Sequence, residues 1–165
     1  MQKIAKFIRV SKENFASAML EEFGVQNAEV DEVNLPKRAT TGSAGYDFYS
    51  PASFTLAPGE TVKVPTGIRA NIENGWVLMI FPRSGLGFKY RLQLDNTVGV
   101  IDSDYFGAKN EGHIFVKITN DGKKGKILTV NKGEAFCQGV FLPFGITEDD
   151  AAEGVREGGF GSTTK

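Results

Sequence analysis

The sequence predicts an all-β protein built as a barrel or a jelly-roll-like sandwich. Three observations lead there: the apolar runs are short, Gly, Pro and Asn punctuate them repeatedly, and one segment alone has helical periodicity. The chain has 165 residues, enough for one domain and too few for two ordinary ones. An apolar fraction of 41% can furnish a core, which excludes a globally disordered chain.

Taken in order, a first strand is expected within Lys3 to Val10. Ser11 is placed to cap a helix over residues 12–23. Phe15, Met19 and Phe23 fall on one face of it, and Gly24 is a natural stop. That face is expected to pack on the barrel rather than to anchor a membrane or partner. Thr61 to Ile72 reads as a strand pair or a bent strand, ended by Asn74-Gly75, a hairpin signal because both residues tolerate positive φ. The unbroken apolar run Trp76 to Pro82 suits a strand buried on both faces. HIFVKITND alternates and ends at Asp121-Gly122, a second hairpin signal. KILTV and AFCQGVFLPF are split by Asn131-Lys132-Gly133. After Phe144 the composition turns acidic and then glycine-rich. Residues 1–147 are therefore expected to form the β-domain and residues 148–165 a mobile tail.

Charge and cysteine usage narrow the function classes. A formal net charge of -1 offers no basic field to nucleic acid or to a membrane surface, so neither is expected as a partner. Cys137 is the only cysteine and His113 the only histidine, which excludes an internal disulfide and a His or Cys metal cluster. Carboxylate and phosphate oxygens are left for any magnesium. The first residues turn polar before an apolar run develops, so neither a signal peptide nor a spanning segment is expected, and a reducing cytoplasm fits.

Three segments carry candidate chemistry. The stretch from Leu94 to Gly107, read as an acidic hairpin, holds Asp95, Asn96, Asp102, Asp104 and Tyr105. Asn96 can read a base edge, Asp102 can orient and deprotonate water, and Tyr105 can wall a sugar; spacing alone equally allows a polar hairpin tip. In PRSGLGFKY, Ser84 can open a helical turn beside Arg83, and Gly85 permits close backbone approach to an anion, or the arginine is merely solvated. The tail REGGFGSTTK can wrap phosphates and stack Phe160 on a base, or be a plain terminus. It lacks the GxxxxGK[ST] spacing of a P-loop. His113, before an alternating run, reads as structural.

In chain order, AGYDFYS at 44–50, PRSGLGFKY at 82–90, NTVGVIDSDYFG at 96–107, GEAFCQGVF at 133–141 and REGGFGST at 156–163 resemble the motif set of the trimeric dUTPase family. The resemblance runs from about Leu35 to the C-terminus. It implies a distorted jelly-roll-like β-barrel, with the N-terminal helix as a short insertion and a flexible Gly-rich tail. The implied activity is hydrolysis of dUTP to dUMP and pyrophosphate by water attack on the α-phosphorus. That reaction supplies dUMP for thymidylate synthesis and keeps uracil out of DNA. A Mg2+ cofactor and a homotrimer with sites shared between subunits are implied too.

The family's roles pass to matching residues. Asp102 resembles the water-activating aspartate. Asn96 resembles the uracil-reading asparagine, with the main chain of Gly99, Val100 and Ile101 completing recognition. Tyr105 resembles the tyrosine beneath the deoxyribose. Arg83, Ser84 and Gly85 resemble the phosphate-contacting stretch, and Gln138 the glutamine near the α-phosphate. Asp47 resembles the aspartate that acts on magnesium through water or supports the catalytic geometry. Phe160 resembles the aromatic that covers uracil, and Gly161, Ser162 and Thr163 the tail's phosphate contacts. Arg156 matches the γ-phosphate arginine with one departure: it precedes Phe160 by four positions, where the family places it five before. Ala135 stands where the family often has arginine, so a salt bridge is expected to be missing there.

Two rivals share the scaffold. A dCTP deaminase would need a glutamate base near the exocyclic amino group and its own motif around the phosphate-binding serine, and that motif is not seen. A non-catalytic nucleotide binder would show damage to the catalytic set, yet Asp102, Asn96, Tyr105, Ser84 and Gln138 are all present.

Overall fold

Strand-forming runs and tight turns dominate the computed structural model, which describes residues 1–123, 125–154, 156 and 158. Its strands are β1 (Ala5–Arg9), β2 (Lys37–Arg38), β3 (Tyr46–Tyr49), β4 (Phe54–Leu56), β5 (Thr61–Pro65) and β6 (Ile68–Ile72). They continue with β7 (Trp76–Pro82), β8 (Leu92–Leu94), β9 (Gly99–Ile101), β10 (Phe115–Asn120), β11 (Leu128–Val130) and β12 (Ala135–Pro143). Two α-helices, α1 (Lys12–Phe23) and α2 (Ser84–Tyr90), and two 3-10 helices, η1 (Val30–Glu32) and η2 (Ser103–Gly107), complete the order. The widest sheet runs β2-β3-β12-β7-β9, a second runs β5-β10-β8, and the pairs β1-β6 and β11-β4 complete the set. The ladders are antiparallel, and the shared core includes Phe48, Leu78, Ile80, Ile118 and Phe136, each at most 1% exposed.

Helix α1 forms for local reasons and stays for tertiary ones. The Ser11 hydroxyl accepts the Asn14 N–H at 3.2 Å, and Gly24 ends the helix at φ 66° with its N–H on the Leu20 carbonyl. Phe15 and Met19 are each 2% exposed, and burying side chains of this size contributes about 1.5–3 kcal/mol apiece. The Phe15 ring lies against the backbone of Gly67, where a Cβ would sit 3.0 Å from Cε2. Gly67 also has a positive φ of 72°, so glycine meets two demands at once.

Three hairpins expected from turn chemistry are not hairpins. Asn74-Gly75 makes a tight turn, but β6 pairs with β1 while β7 pairs with β12 and β9. Asp121-Gly122 likewise separates β10, which pairs with β5 and β8, from β11, which pairs with β4. The acidic segment follows the same pattern: β8 joins β10, β9 joins β7, and a lone bridge links Leu94 to Thr97. Turn residues dictate that the chain reverses; the burial of sheet faces decides which strand becomes the neighbour. β7 also departs from the expected burial on both faces. Leu78 and Ile80 are buried, while Val77, Met79 and Phe81 on the other face stay half-buried.

Candidate active site

The site begins with β9. Gly99 lies so close to β7 that a Cβ would come within 3.1 Å of the Ile80 Cβ, and Ile101 is 1% exposed. Asp102 follows in extended conformation at the start of η2, its side chain 45% exposed. Tyr105, within η2, is buried, and its hydroxyl donates to the His113 carbonyl at 2.7 Å while accepting from Asn110 Nδ2 at 2.8 Å. Burial pushes the Tyr105 hydroxyl up, against the Asn110 hydrogen bond and the Arg156 charge, so the phenol remains a neutral donor. Arg156 closes the group: Nη2 is 2.5 Å from Asp102 Oδ2 and Nε is 2.9 Å from Asp104 Oδ1. Its guanidinium stands 5.6 Å from the Tyr105 ring centroid. A half-exposed carboxylate can take a proton from water, and a guanidinium fork that grips carboxylates also fits phosphate.

A second cluster forms where β7 ends. Arg83 Nε lies 3.0 Å from Asp47 Oδ1, and its Nη1 donates to the Ala135 carbonyl at 3.3 Å. With alanine at position 135, Arg83 reaches the backbone there. Gln138 is level with Asp47 on β3, and its Nε2 donates to the Pro82 carbonyl at 3.1 Å. Ser84 and Gly85 are exposed on the first turn of α2.

The two clusters are not adjacent in one chain. Ile101 pairs with Leu78, which sets Asp102 level with Val77, while Arg83 follows the far end of β7. At strand rise this separation is about 20 Å. Asn96 is exposed on the turn before β9, where Thr97 has a φ of 64°. It lines a cavity of about 240 Å³ with Gly99, Ile101, Ile80, Leu94 and Phe115. Val100 is 50% exposed on the outer side of β9. Asp95 is tied into the sheet beside this cavity. The Thr119 hydroxyl, opposed by burial and helped by Lys117, holds its carboxyl below the usual range. A larger cavity of about 610 Å³ lies between α1, η1 and residues 49–53, and it contains none of the expected site residues. Chemistry rather than size therefore locates the site. Phe160, Gly161, Ser162 and Thr163 lie outside the described residues.

Among the described residues no group of three or more His, Cys, Asp or Glu side chains could hold a metal ion. No described helix is long and apolar enough to cross a membrane. His113 is fully buried, with its Nε2 accepting the Gly67 N–H at 2.9 Å. Sequence reasoning missed what surrounds it: Asn14, Asn110 and Glu111 converge on the back of η2. The available signals were weak, a polar residue in the first turn of α1 and the turn-forming run Asn110-Glu111-Gly112.

A family model described as dUTPase matches residues 31–164. The chain belongs to the dUTPase family. A relative within that family, the deoxyuridine 5'-triphosphate nucleotidohydrolase of Lactococcus lactis, is 42% identical over 134 residues, covering 79% of this chain and 88% of its own. The corresponding Tolumonas auensis protein is 42% identical over 141 residues, covering 81% and 89%. Among solved structures, the dUTPase of Streptococcus mutans superposes with a TM-score of 0.64 at 35% identity, over 86% of this chain and 98% of that one. The dUTPase of Staphylococcus aureus phage phi11 gives a TM-score of 0.64 over 92% and 97%, but at 22% identity it speaks to the fold alone. Helix α1 precedes the stretch matched by the dUTPase family model.

Proposed function

We propose that the chain hydrolyses dUTP to dUMP and pyrophosphate, with Asp102 activating the water that attacks the α-phosphorus. One observation carries the reading: in a chain of the dUTPase family, Asp102 is a half-exposed carboxylate paired with Arg156, whose guanidinium also lies over the Tyr105 ring. The protein's work is positioning and charge stabilisation, as in phosphoryl transfer generally. Asn96 and the main chain of Gly99, Val100 and Ile101 read uracil at the cavity they line or border. A close main-chain wall excludes the thymine methyl, and directed donors and acceptors reject cytosine by leaving polar groups mismatched. Tyr105, packed beneath the sugar, excludes a ribose hydroxyl. Arg83, Ser84, Gly85 and Gln138 bind the phosphates. The tail, residues 148–165, closes over them and excludes water, with Arg156 on the γ-phosphate, Phe160 over uracil, and Gly161, Ser162 and Thr163 on the phosphates.

The residues present suit magnesium carried by the substrate. Few carboxylates converge, and Mg2+ is commonly bound by substrate phosphates with one or two carboxylates and several waters. Asp47 would reach it through water. Bound there, magnesium neutralises phosphate charge and fixes the chain's conformation.

The Arg83 and Asp102 clusters, about 20 Å apart along the sheet, support a homotrimer in which different copies complete each site. The sheets then form a distorted jelly-roll-like barrel over residues 1–147, with α1 as an insertion. In this reading the enzyme works in the cytoplasm, supplying dUMP for thymidylate synthesis and keeping uracil out of DNA. Pyrophosphate release with dUTP, compared with dTTP, dCTP and UTP, tests the assignment. Equal turnover of all four would overturn it, and ammonia release from dCTP would indicate a deaminase.

A further inference from the structure

Helix η2 rests on the turn at residues 110–113, and that turn is gripped by the start of α1. Glu111 takes a positive φ of 62° and Gly112 one of 70°. A Cβ on Gly112 would come within 2.6 Å of the Tyr105 carbonyl oxygen, so the turn touches the backbone of η2 directly. From the other side, the Ser11 hydroxyl and N–H donate to the two Glu111 carboxylate oxygens at 2.5 and 2.8 Å. Asn14 uses both ends of its amide: Nδ2 donates to the Asn110 carbonyl at 3.0 Å, and Oδ1 faces His113 Nδ1 at 2.7 Å. Because His113 Nε2 accepts the Gly67 N–H, the ring proton sits on Nδ1 and donates to Asn14.

The turn passes this grip to the tyrosine. The His113 carbonyl accepts from the Tyr105 hydroxyl, and the Asn110 amide donates to that hydroxyl. The ring therefore has its hydroxyl end anchored on a turn whose shape α1 holds. Ser11 and Asn14 lie before the stretch that the family model matches, while their partners Asn110, Glu111 and His113 lie within it.

Resting on the dUTP-hydrolysing reading of the site, we propose that Asn14, with Ser11 in support, is a positioning residue for Tyr105 and sets the discrimination between deoxyribose and ribose. Neither side chain is needed to touch the nucleotide. Their effect runs through the 110–113 turn to the plane of the ring. Small shifts of a ring that excludes one hydroxyl relax selectivity before they abolish turnover, because the carboxylate of the base, Asp102, is held by Arg156 and not by the 110–113 turn.

The test compares kcat and KM for dUTP and UTP in the full-length protein and in Asn14→Ala, Ser11→Ala and Lys12→Ala. Lys12 is the control: it belongs to the same turn but pairs on the surface with Glu29 and Asp31. Asn14→Ala should lower the dUTP-to-UTP ratio of kcat/KM by about tenfold, and Ser11→Ala by less in the same direction. Lys12→Ala should leave the ratio unchanged. Amide exchange of residues 103–107 gives a readout independent of turnover, and it should quicken in Asn14→Ala but not in the control. An unchanged ratio with unchanged exchange would overturn the proposal, as would equal losses on both nucleotides. If Asn14→Ala does not fold, Ser11→Ala decides by the same two readouts. An unmutated protein without dUTP hydrolysis would sink the functional reading instead, and the exchange result would still judge the support network.

Discussion

Arg156 Nη2 lies 2.5 Å from Asp102 Oδ2, so the tail's arginine rests on the carboxylate proposed as the base. The pair is coupled to Asp104 through Nε and to the Tyr105 ring through the guanidinium face. Asp102 and Asp104 are about half exposed, and ion pairs of that kind contribute only about 0–1 kcal/mol. A weak grip suits exchange: a triphosphate offers the same fork denser charge, and the transfer of Arg156 to phosphate leaves Asp102 free to take a proton from water.

Truncation before Arg156 should therefore leave a folded protein with little activity. The expected loss in kcat/KM is about 10–100-fold, since positioning and water exclusion suffer while the barrel stays intact. Circular dichroism should show an unchanged β spectrum, and an unfolded product would contradict the division into a β-domain and a tail.

Asp102→Asn should fold normally and lose roughly 10²–10⁴-fold in kcat, the usual scale for a general base. The amide keeps the shape of the side chain and removes its capacity to take a proton. Near-normal turnover by this variant would sink the assignment of the base.

Separation of the Arg83 and Asp102 ends of β7 gives a test of shared sites. Arg83→Ala and Asp102→Asn should each be inactive alone. Co-refolded at equal amounts, they should recover about a quarter of normal activity, because a site drawing those two residues from different copies is intact at that frequency. No recovery, despite light scattering showing mixed oligomers, would mean that one chain supplies both residues.

Stability should depend on pH through His113. Burial, opposed by Glu111 and aided by Lys63, lowers its pKa from 6.5 to about 4. An unfolded chain binds that proton from about pH 6.5 downward, whereas the folded chain resists it until about pH 4. The contribution of the neutral imidazole is thus fully present above pH 6.5 and fades as the pH falls towards 4, by a total on the order of 3 kcal/mol. Glu111 acts in the same direction at lower pH. Burial raises its pKa, but the Ser11 hydroxyl and N–H, with the charges of Arg69 and His113, together hold the carboxyl below the usual range. Thermal unfolding followed from pH 7.5 to 4.5 should show Tm falling, and a flat profile would contradict a buried neutral His113.

Local chemistry was legible where it acts over a few residues. The Ser11 cap, the Phe15–Met19 face and the Gly24 stop were readable because a helix satisfies its own backbone and needs only a cap and a stripe. Ser84 was readable as the start of α2 for the same reason. Strand partners were not legible at Asn74-Gly75 and Asp121-Gly122, because these pairs encode a reversal and nothing about the next neighbour. Asn14 carried only a weak local sign of its role, as a polar residue in the first turn of α1, because its partners, Asn110 and His113, are about a hundred residues away.

By itself, the sequence determined the residue types of the chemistry and their order: one carboxylate after an apolar strand, an arginine after another, a glycine-rich end, and no histidine or cysteine cluster. Tertiary structure alone decided their placement. It set Arg156 on Asp102 and Arg83 on Asp47, and it held those pairs at opposite ends of β7. The physical reason is that strand pairing answers to the burial of whole sheet faces, which no short run of residues specifies.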